Sequence, residues 1–214
     1  SGTLGVKYGV LAFTFPDFAV TVKEEKKQAA DPKAAEEVKS ELNEIIGLSE
    51  VKDYVLSLEQ NYIIQRLREA RGMKADVPTM HMIFTGNPGT GKTTIARLVS
   101  RYLKAMGVLS GGQLIEVTRA DLVGKYVGHT APLTQQVIRS ALGGVLFIDE
   151  AYSLYRGADD SFGLEAIDTI VKGMEDHRED LIVILAGYTK EMEAFLTANS
   201  GLRSRFPNII EFPD

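Results

Sequence analysis

Apolar and polar positions alternate loosely over residues 4–22, a stretch rich in Val, Phe, Tyr and Thr with Pro16-Asp17 in its middle, and predict a β-hairpin or two short strands. Charged and Ala-rich sequence follows to about Ser40, starting with Lys23-Glu24-Glu25-Lys26-Lys27 and interrupted at Asp31-Pro32, the pattern of a solvated helix or linker. From there Leu42, Ile45, Ile46, Val51, Val55, Leu58, Tyr62 and Leu67 keep helical spacing with a break at Gly47. The register restarts after Ser49, which reads as an N-cap with Lys52 and Asp53 in the first turn, and ends at Arg71-Gly72. Strand patterns then recur at 80–85, 113–118, 145–148, 181–186 and 208–212, the first four separated by stretches of helical period. The runs 145–148 and 181–185 are continuously apolar, as expected of parallel strands buried on both faces. An α/β domain of about five strands follows, in which ligands bind beyond the carboxyl ends of the strands.

Composition narrows the class without naming a chemistry. The 214 residues are 44% hydrophobic and 25% charged, as in ordinary soluble globular chains, and contain no Cys and no Trp. Disulfides and cysteine-based zinc sites are therefore impossible. No apolar run reaches a membrane-spanning length and no signal peptide is recognisable, so the expected compartment is the cytoplasm. A net charge of −5 argues against a nucleic-acid groove. The chain opens on Ser1-Gly2 and stops at Phe212-Pro213-Asp214 directly after a strand pattern, so both ends read as cut and Ser1-Gly2 as a tag remnant.

Gly86-Asn87-Pro88-Gly89-Thr90-Gly91-Lys92-Thr93 fits the P-loop pattern and lies between a strand and an apolar helix beginning near Thr94. Its glycines let backbone N–H groups curl around a β-phosphate, Lys92 reaches the β- and γ-phosphates, and the Thr93 hydroxyl can ligate Mg²⁺. The run 145–148 ends in Asp149-Glu150. A carboxylate at the end of an apolar strand is costly unless a cation is near, which assigns Asp149 to Mg²⁺. Glu150 is then the group to polarise a water for attack on a γ-phosphate, so hydrolysis rather than binding alone is expected. Asp121-Leu122-Val123-Gly124 matches the short DxxG element of GTPases, but no Asn-Lys-x-Asp guanine reader occurs, which favours ATP. His81, His129 and His177 are too scattered for a metal site and read as structural or solvent-facing.

The segments 45–52, 81–99, 120–130, 141–154, 163–178, 183–188 and 201–207, in that order, resemble AAA+ ATPases, and more narrowly the subfamily that contains the red-type rubisco activase CbbX, the stage V sporulation protein K and the type VII secretion ATPase EccA. The resemblance covers about residues 42–214 and implies a three-layer P-loop NTPase sandwich with a five-stranded parallel sheet, preceded by a β-rich segment. It divides the chain into residues 1–40, a hairpin and charged linker from an upstream domain, and 41–214, the large ATPase subdomain without its helical lid. It also implies a homo-oligomeric ring, usually a hexamer, that hydrolyses ATP with Mg²⁺ and remodels a threaded protein. By this resemblance Gly86, Asn87, Pro88, Gly89, Thr90, Gly91, Lys92, Thr93 and Thr94 hold the nucleotide, Ile46-Gly47 lie against adenine, and Thr93 and Asp149 serve the metal. Glu150 and Lys92 act in catalysis, Arg205 is the arginine finger with Arg203 assisting, and Tyr126-Val127-Gly128 form the substrate-gripping pore loop. The sensor position falls at Ala186-Gly187-Tyr188-Thr189, a departure from the usual Asn or Thr, with Tyr188 the best-aligned polar residue and Thr189 next. Two other functions are compatible with part of this pattern: a nucleotide-regulated assembly scaffold and a DNA-acting AAA+ protein. Glu150 and Arg205 together disfavour the first, and the acidic charge and Tyr126 the second.

Overall fold

A computed structural model describes residues 5–7, 10–15, 18–21, 29–45, 48–73 and 79–213. Strands β1 (Gly5–Lys7), β2 (Val10–Phe15) and β3 (Phe18–Thr21) form an antiparallel meander in which Lys7 opposes Val10 and Phe15 opposes Phe18. The sequence pattern predicts one hairpin or two strands here; the third strand escapes it because only Pro16-Asp17 carries strong turn chemistry.

Helix α1 (Pro32–Glu44) begins at the Asp31-Pro32 break. The Asp31 carboxylate accepts from the N–H groups of Lys33 and Ala34 at 3.1 and 3.2 Å, and Pro32 occupies a first-turn position that needs no donor. Its charged face is solvated as expected, yet Ala35, Val38 and Leu42 form a thin buried stripe in the core. In α2 (Ser49–Ala70), Ser49 is the first helical residue rather than the cap; Leu48 precedes it in a left-handed conformation with φ of 57° and no side-chain cap. The Lys52 ammonium instead donates back to the carbonyls of Asn43 and Ile45, at 3.2 and 2.6 Å, and so terminates α1 with a cation. The helix ends where the sequence places its end, with Gly72 at a φ of 71°.

All five expected core strands are present: β4 (Met82–Thr85), β5 (Leu114–Val117), β6 (Val145–Ile148), β7 (Ile182–Gly187) and β8 (Asn208–Glu211). They pair in the order β5-β6-β7-β4-β8, and every pairing is parallel. Successive side chains alternate between faces. Met82, Phe84, Phe147 and Ile184 enter one core with α1, α2 and α3 (Lys92–Ala105). Ile83, Leu146, Ile148 and Val183 enter a second core with α5 (Thr130–Ala141), α6 (Ser161–Asp176) and α7 (Thr189–Ala198). Two short helices, α4 (Arg119–Leu122) and α8 (Ser200–Arg203), complete the outline of a three-layer α/β sandwich. Because the strands are parallel, the segments after β4, β5, β6 and β7 all emerge at one edge of the sheet. This is where the sequence places its chemistry.

Of the three histidines, His81 is buried at the entrance to β4, where its Nδ1 accepts a hydrogen bond from the Val183 N–H at 3.0 Å. Burial pushes its pKa down to about 4. Folded His81 thus stays neutral while the unfolded chain takes up a proton below about pH 6.5, so this contribution to stability is present at neutral pH and lost on acidification. The window from pH 6.5 to about 4 is expected to cost about 3 kcal/mol. Urea unfolding of the wild type and of His81→Asn at pH 7 and pH 4.5 checks this: the variant should lose less stability, and equal losses would contradict the assignment.

Candidate nucleotide-hydrolysis site

The turn between β4 and α3 depends on glycines at particular places. Gly86 has a φ of 146°, and a Cβ there would lie 2.6 Å from the Phe212 carbonyl oxygen. Its N–H donates to the Gly187 carbonyl at 3.2 Å, which ties the start of the turn to the end of β7. Gly91 caps α3 at a φ of 89° with no side-chain cap, and the first backbone N–H accepted there is that of Ile95, by Gly91 O. The earlier donors of the helix are thus left to an incoming anion. Lys92 curls over the turn, donating to the carbonyls of Gly86 and Asn87 at 2.9 and 2.6 Å. Burial lowers its pKa and the nearby Asp149 carboxylate partly raises it again. Thr90 closes the turn by donating to Asn87 O at 2.8 Å. Pro88 and Gly89 occupy the middle of the turn, Gly89 at a φ of 78° with open space beside its Cα, and Thr94 is exposed in the first turn of α3.

Asp149 and Glu150 follow β6 as expected, with Asp149 half-buried and Glu150 exposed. Glu150 adopts a φ of 47° and ψ of 45°, left-handed for a residue with a side chain, and starts a 3-10 turn at Ala151–Leu154. Its N–H donates to Asp149 Oδ1 at 2.9 Å. The strained turn separates the two carboxylates, one held at the strand end and the other directed to solvent.

Three neighbours escape a reading of the sequence. The Thr93 hydroxyl lies 3.5 Å from Glu116 Oε1, a third acid brought in by β5. Among the described residues no group of three or more His, Asp or Glu is arranged to hold a metal by itself. The Thr93 hydroxyl and the Glu116 and Asp149 carboxylates are hard oxygen donors, the ligand type that a divalent cation such as Mg²⁺ takes. The ring of Tyr152 lies 5.9 Å from that of Tyr188, and burial together with the Glu150 charge pushes its pKa up to about 12. Tyr188 is thereby placed beside the Asp149-Glu150 turn, one residue past Gly187, with Thr189 already inside α7. Arg119, on α4, binds the far end of the 3-10 turn through the Ser153 and Leu154 carbonyls. Only a register for β5 could have signalled Glu116, and nothing local marks Tyr152 or Arg119.

The DxxG aspartate has another use. The Asp121 carboxylate accepts from the Thr118 N–H at 2.9 Å and the Thr118 hydroxyl at 3.2 Å, a reciprocal cap on α4. Beyond α4, Tyr126 is 68% and Val127 87% exposed, and Gly128 takes a φ of 82°. The Tyr126 ring meets His129 edge-on at 5.5 Å. The base of this loop is fixed by two buried threonines: the Gly124 N–H donates to Thr130 Oγ1 at 3.0 Å, and the Thr134 hydroxyl to Leu122 O at 2.8 Å.

Arg205 is anchored within its own chain. Its guanidinium donates to Glu175 Oε1 at 2.6 and 3.1 Å and to the Gly201 carbonyl at 2.7 Å. Arg203 is exposed and makes no side-chain hydrogen bond with the described residues. The expected adenine contacts, Ile46-Gly47, lie outside the described residues. Among the described residues, no helix is long and apolar enough to cross a membrane.

Residues 82–214 match the model of the ATPase family associated with various cellular activities. The chain is 49% identical over 189 residues to stage V sporulation protein K of Bacillus subtilis (strain 168), covering 88% of this chain and 59% of that protein. It is 50% identical over 182 residues to Protein CbbX of Cereibacter sphaeroides, covering 84% and 59%. With a chloroplastic ribulose bisphosphate carboxylase/oxygenase activase of Cyanidioschyzon merolae it shares 49% over 172 residues, 80% and 59% of the two chains. The chain thus spans 59% of the length of each of these relatives. Among solved structures, the FIGL-1 AAA domain in complex with ADP superposes with a TM-score of 0.52 at 22% identity, over 78% of this chain and 54% of that one, a likeness of fold.

Proposed function

The chain belongs to the ATPase family associated with various cellular activities, and from that premise we propose that it binds ATP with Mg²⁺ at the shared strand edge, hydrolyses it between neighbouring copies in a ring, and uses the cycle to move the Tyr126 loop against a protein substrate. The observation that carries this reading is the convergence of Lys92, Thr93, Asp149 and a strained Glu150 at the carboxyl ends of β4 and β6, the two parallel strands that flank β7.

In this reading Lys92 exchanges the Gly86 and Asn87 carbonyls for phosphate oxygens, while the free N–H groups at the start of α3 receive the remaining charge. Thr93 and Asp149 would hold Mg²⁺, which would supply positive charge against the phosphates. Glu150 accepts the proton of the attacking water from its solvent-facing position. Tyr188, beside Tyr152, lies next to that path and orients polar groups there. Arg205 serves the γ-phosphate of the adjacent copy: Glu175 and Gly201 O fix its guanidinium at the surface, and a planar fork suits a transferring phosphoryl group. Arg203 sits beside it as an auxiliary cation. Tyr126 and Val127 offer a large exposed amphipathic grip on a rigid base, which needs no particular substrate sequence. The relatives named for rubisco activation and for sporulation support a remodelling role, and rubisco activase is so named in its own organism.

Mixing two inactive variants tests the shared site. Glu150→Gln and Arg205→Ala copies should each be nearly silent, yet their mixture should regain a measurable fraction of wild-type turnover, because some interfaces then combine an intact Glu150 with an intact Arg205. A mixture as inactive as its parts would refute the trans arrangement.

A further inference from the structure

Arg119 joins three elements: α4, on which it lies, the 3-10 turn after Glu150, and the start of α6. Its guanidinium donates from Nη1 to the carbonyls of Ser153 and Leu154 at 3.0 and 3.1 Å and to Asp160 Oδ2 at 2.6 Å, and from Nη2 to Asp160 Oδ1 at 2.9 Å. The pair is largely withdrawn from solvent, with the two side chains 16% and 13% exposed. Asp160 also caps α6, accepting from the Gly163 N–H at 3.1 Å. The clamp fills the space beside Gly163 so completely that a Cβ there would lie 2.8 Å from Arg119 Nη1 and closer still to Leu154 O.

Each end of this clamp leads to a part of the site. The 3-10 turn it grips begins at the strained Glu150, whose carbonyl accepts the Ser153 N–H at 2.8 Å. A backbone shift at Glu150 therefore displaces the Ser153 and Leu154 carbonyls. On the other side, α4 is only four residues long and cannot hold its own shape or position. It is placed by Arg119, by buried Leu122 and by the Thr134 hydroxyl on Leu122 O, and it leads through Val123 into Gly124 and the exposed Tyr126. The Asp160 end is the fixed one, because α6 is sixteen residues long and packed into the core.

Resting on the proposed ATPase reading, we propose that Arg119 is a positioning residue that couples the Asp149-Glu150 turn to the Tyr126-Val127-Gly128 loop, its forked guanidinium transmitting displacement of the Ser153 and Leu154 carbonyls to α4. A lysine in its place keeps the charge but not the fork, so it reaches only part of the four-acceptor set.

Hydrogen exchange of the peptide spanning residues 123–129, followed with ADP and with a non-hydrolysable ATP analogue, tests the link. In the wild type the exchange rate of this loop should differ by about tenfold between the two nucleotides. In Arg119→Lys the difference should collapse to less than about twofold, although analogue affinity stays within about threefold of the wild type. Asp160→Asn, which retains an α6 cap, should give an intermediate loss and serves if the first variant does not fold. Retention of the full nucleotide-dependent difference in a folded variant overturns the coupling role. A wild-type loop that ignores a bound nucleotide also overturns it and leaves the ATPase reading standing. Failure of the wild type to bind either nucleotide overturns the ATPase reading as well.

Discussion

Glu150→Gln is expected to lower ATP turnover on the order of 10²- to 10³-fold while nucleotide affinity stays within about threefold. The amide has nearly the volume of the carboxylate and can occupy the same exposed position, but it cannot take a proton from water. Lys92, Thr93 and the N-terminus of α3 are untouched, so binding should persist. Steady-state phosphate release and titration with a fluorescent ATP analogue separate the two quantities. Turnover within a factor of about three of the wild type would remove Glu150 from the chemistry. The backbone at this position makes a second, opposite expectation. Glu150 holds a left-handed conformation that glycine adopts without a Cβ penalty, so Glu150→Gly should be inactive yet more stable by about 1 kcal/mol in urea unfolding. Loss of activity with gain of stability is the mark of strain kept for function. An unchanged or lower stability would mean that the turn is not strained.

Gly86→Ala is expected to cost about 3 kcal/mol of stability, or about 8 °C in melting temperature, and to abolish measurable nucleotide binding. The added methyl meets backbone, the Phe212 carbonyl oxygen at 2.6 Å, in addition to the cost of a φ of 146°. Phe212 cannot easily retreat. It is buried, its ring lies 4.9 Å from that of Phe84, and its N–H donates to Thr85 O at 2.8 Å. Relief therefore requires β8 to part from β4 or the P-loop to shift, and either change misplaces Lys92. Gly89→Ala is the internal control, because Gly89 has a positive φ of 78° but nothing within 4 Å of the added atom. It should cost only about 1 kcal/mol. Thermal unfolding of the two variants checks the contrast, and equal losses would show that the approach of Phe212 is not what demands glycine at residue 86.

Much of this site was legible before any fold was known. The run 145–148 predicts a doubly buried strand, and the carboxylates after it, weak evidence alone, gain meaning beside the P-loop: Asp149 as a cation ligand and Glu150 as a water-polarising group. The glycines of 86–91 with Lys92-Thr93 were equally plain, because close backbone approach to phosphate admits few residue types. The Tyr126 loop was marked by flanking glycines, and its exposure is as large as that pattern suggested. Other features were hidden for physical reasons. Asp121 matches a short linear pattern with only two fixed positions, which cannot reveal that its carboxylate is engaged in capping α4. The stripe of Ala35, Val38 and Leu42 was too thin among charges to reveal that α1 packs into the core.

The sequence by itself determined the order of the core strands, their parallel class and the candidates for phosphate and metal ligands, because these depend on local period, local turn chemistry and the cost of burying charge. Only the tertiary structure decided which distant side chains meet. Glu116 reaches Thr93, Tyr152 faces Tyr188, Glu175 holds Arg205 and Arg119 binds the turn after Glu150, all through contacts between residues far apart in sequence or on separate elements. Such contacts are set by strand order and helix packing, and no local pattern encodes them. The left-handed backbone at Glu150 belongs to the same class, since a glutamate has no intrinsic preference for that conformation and holds it here between a buried strand and a packed turn.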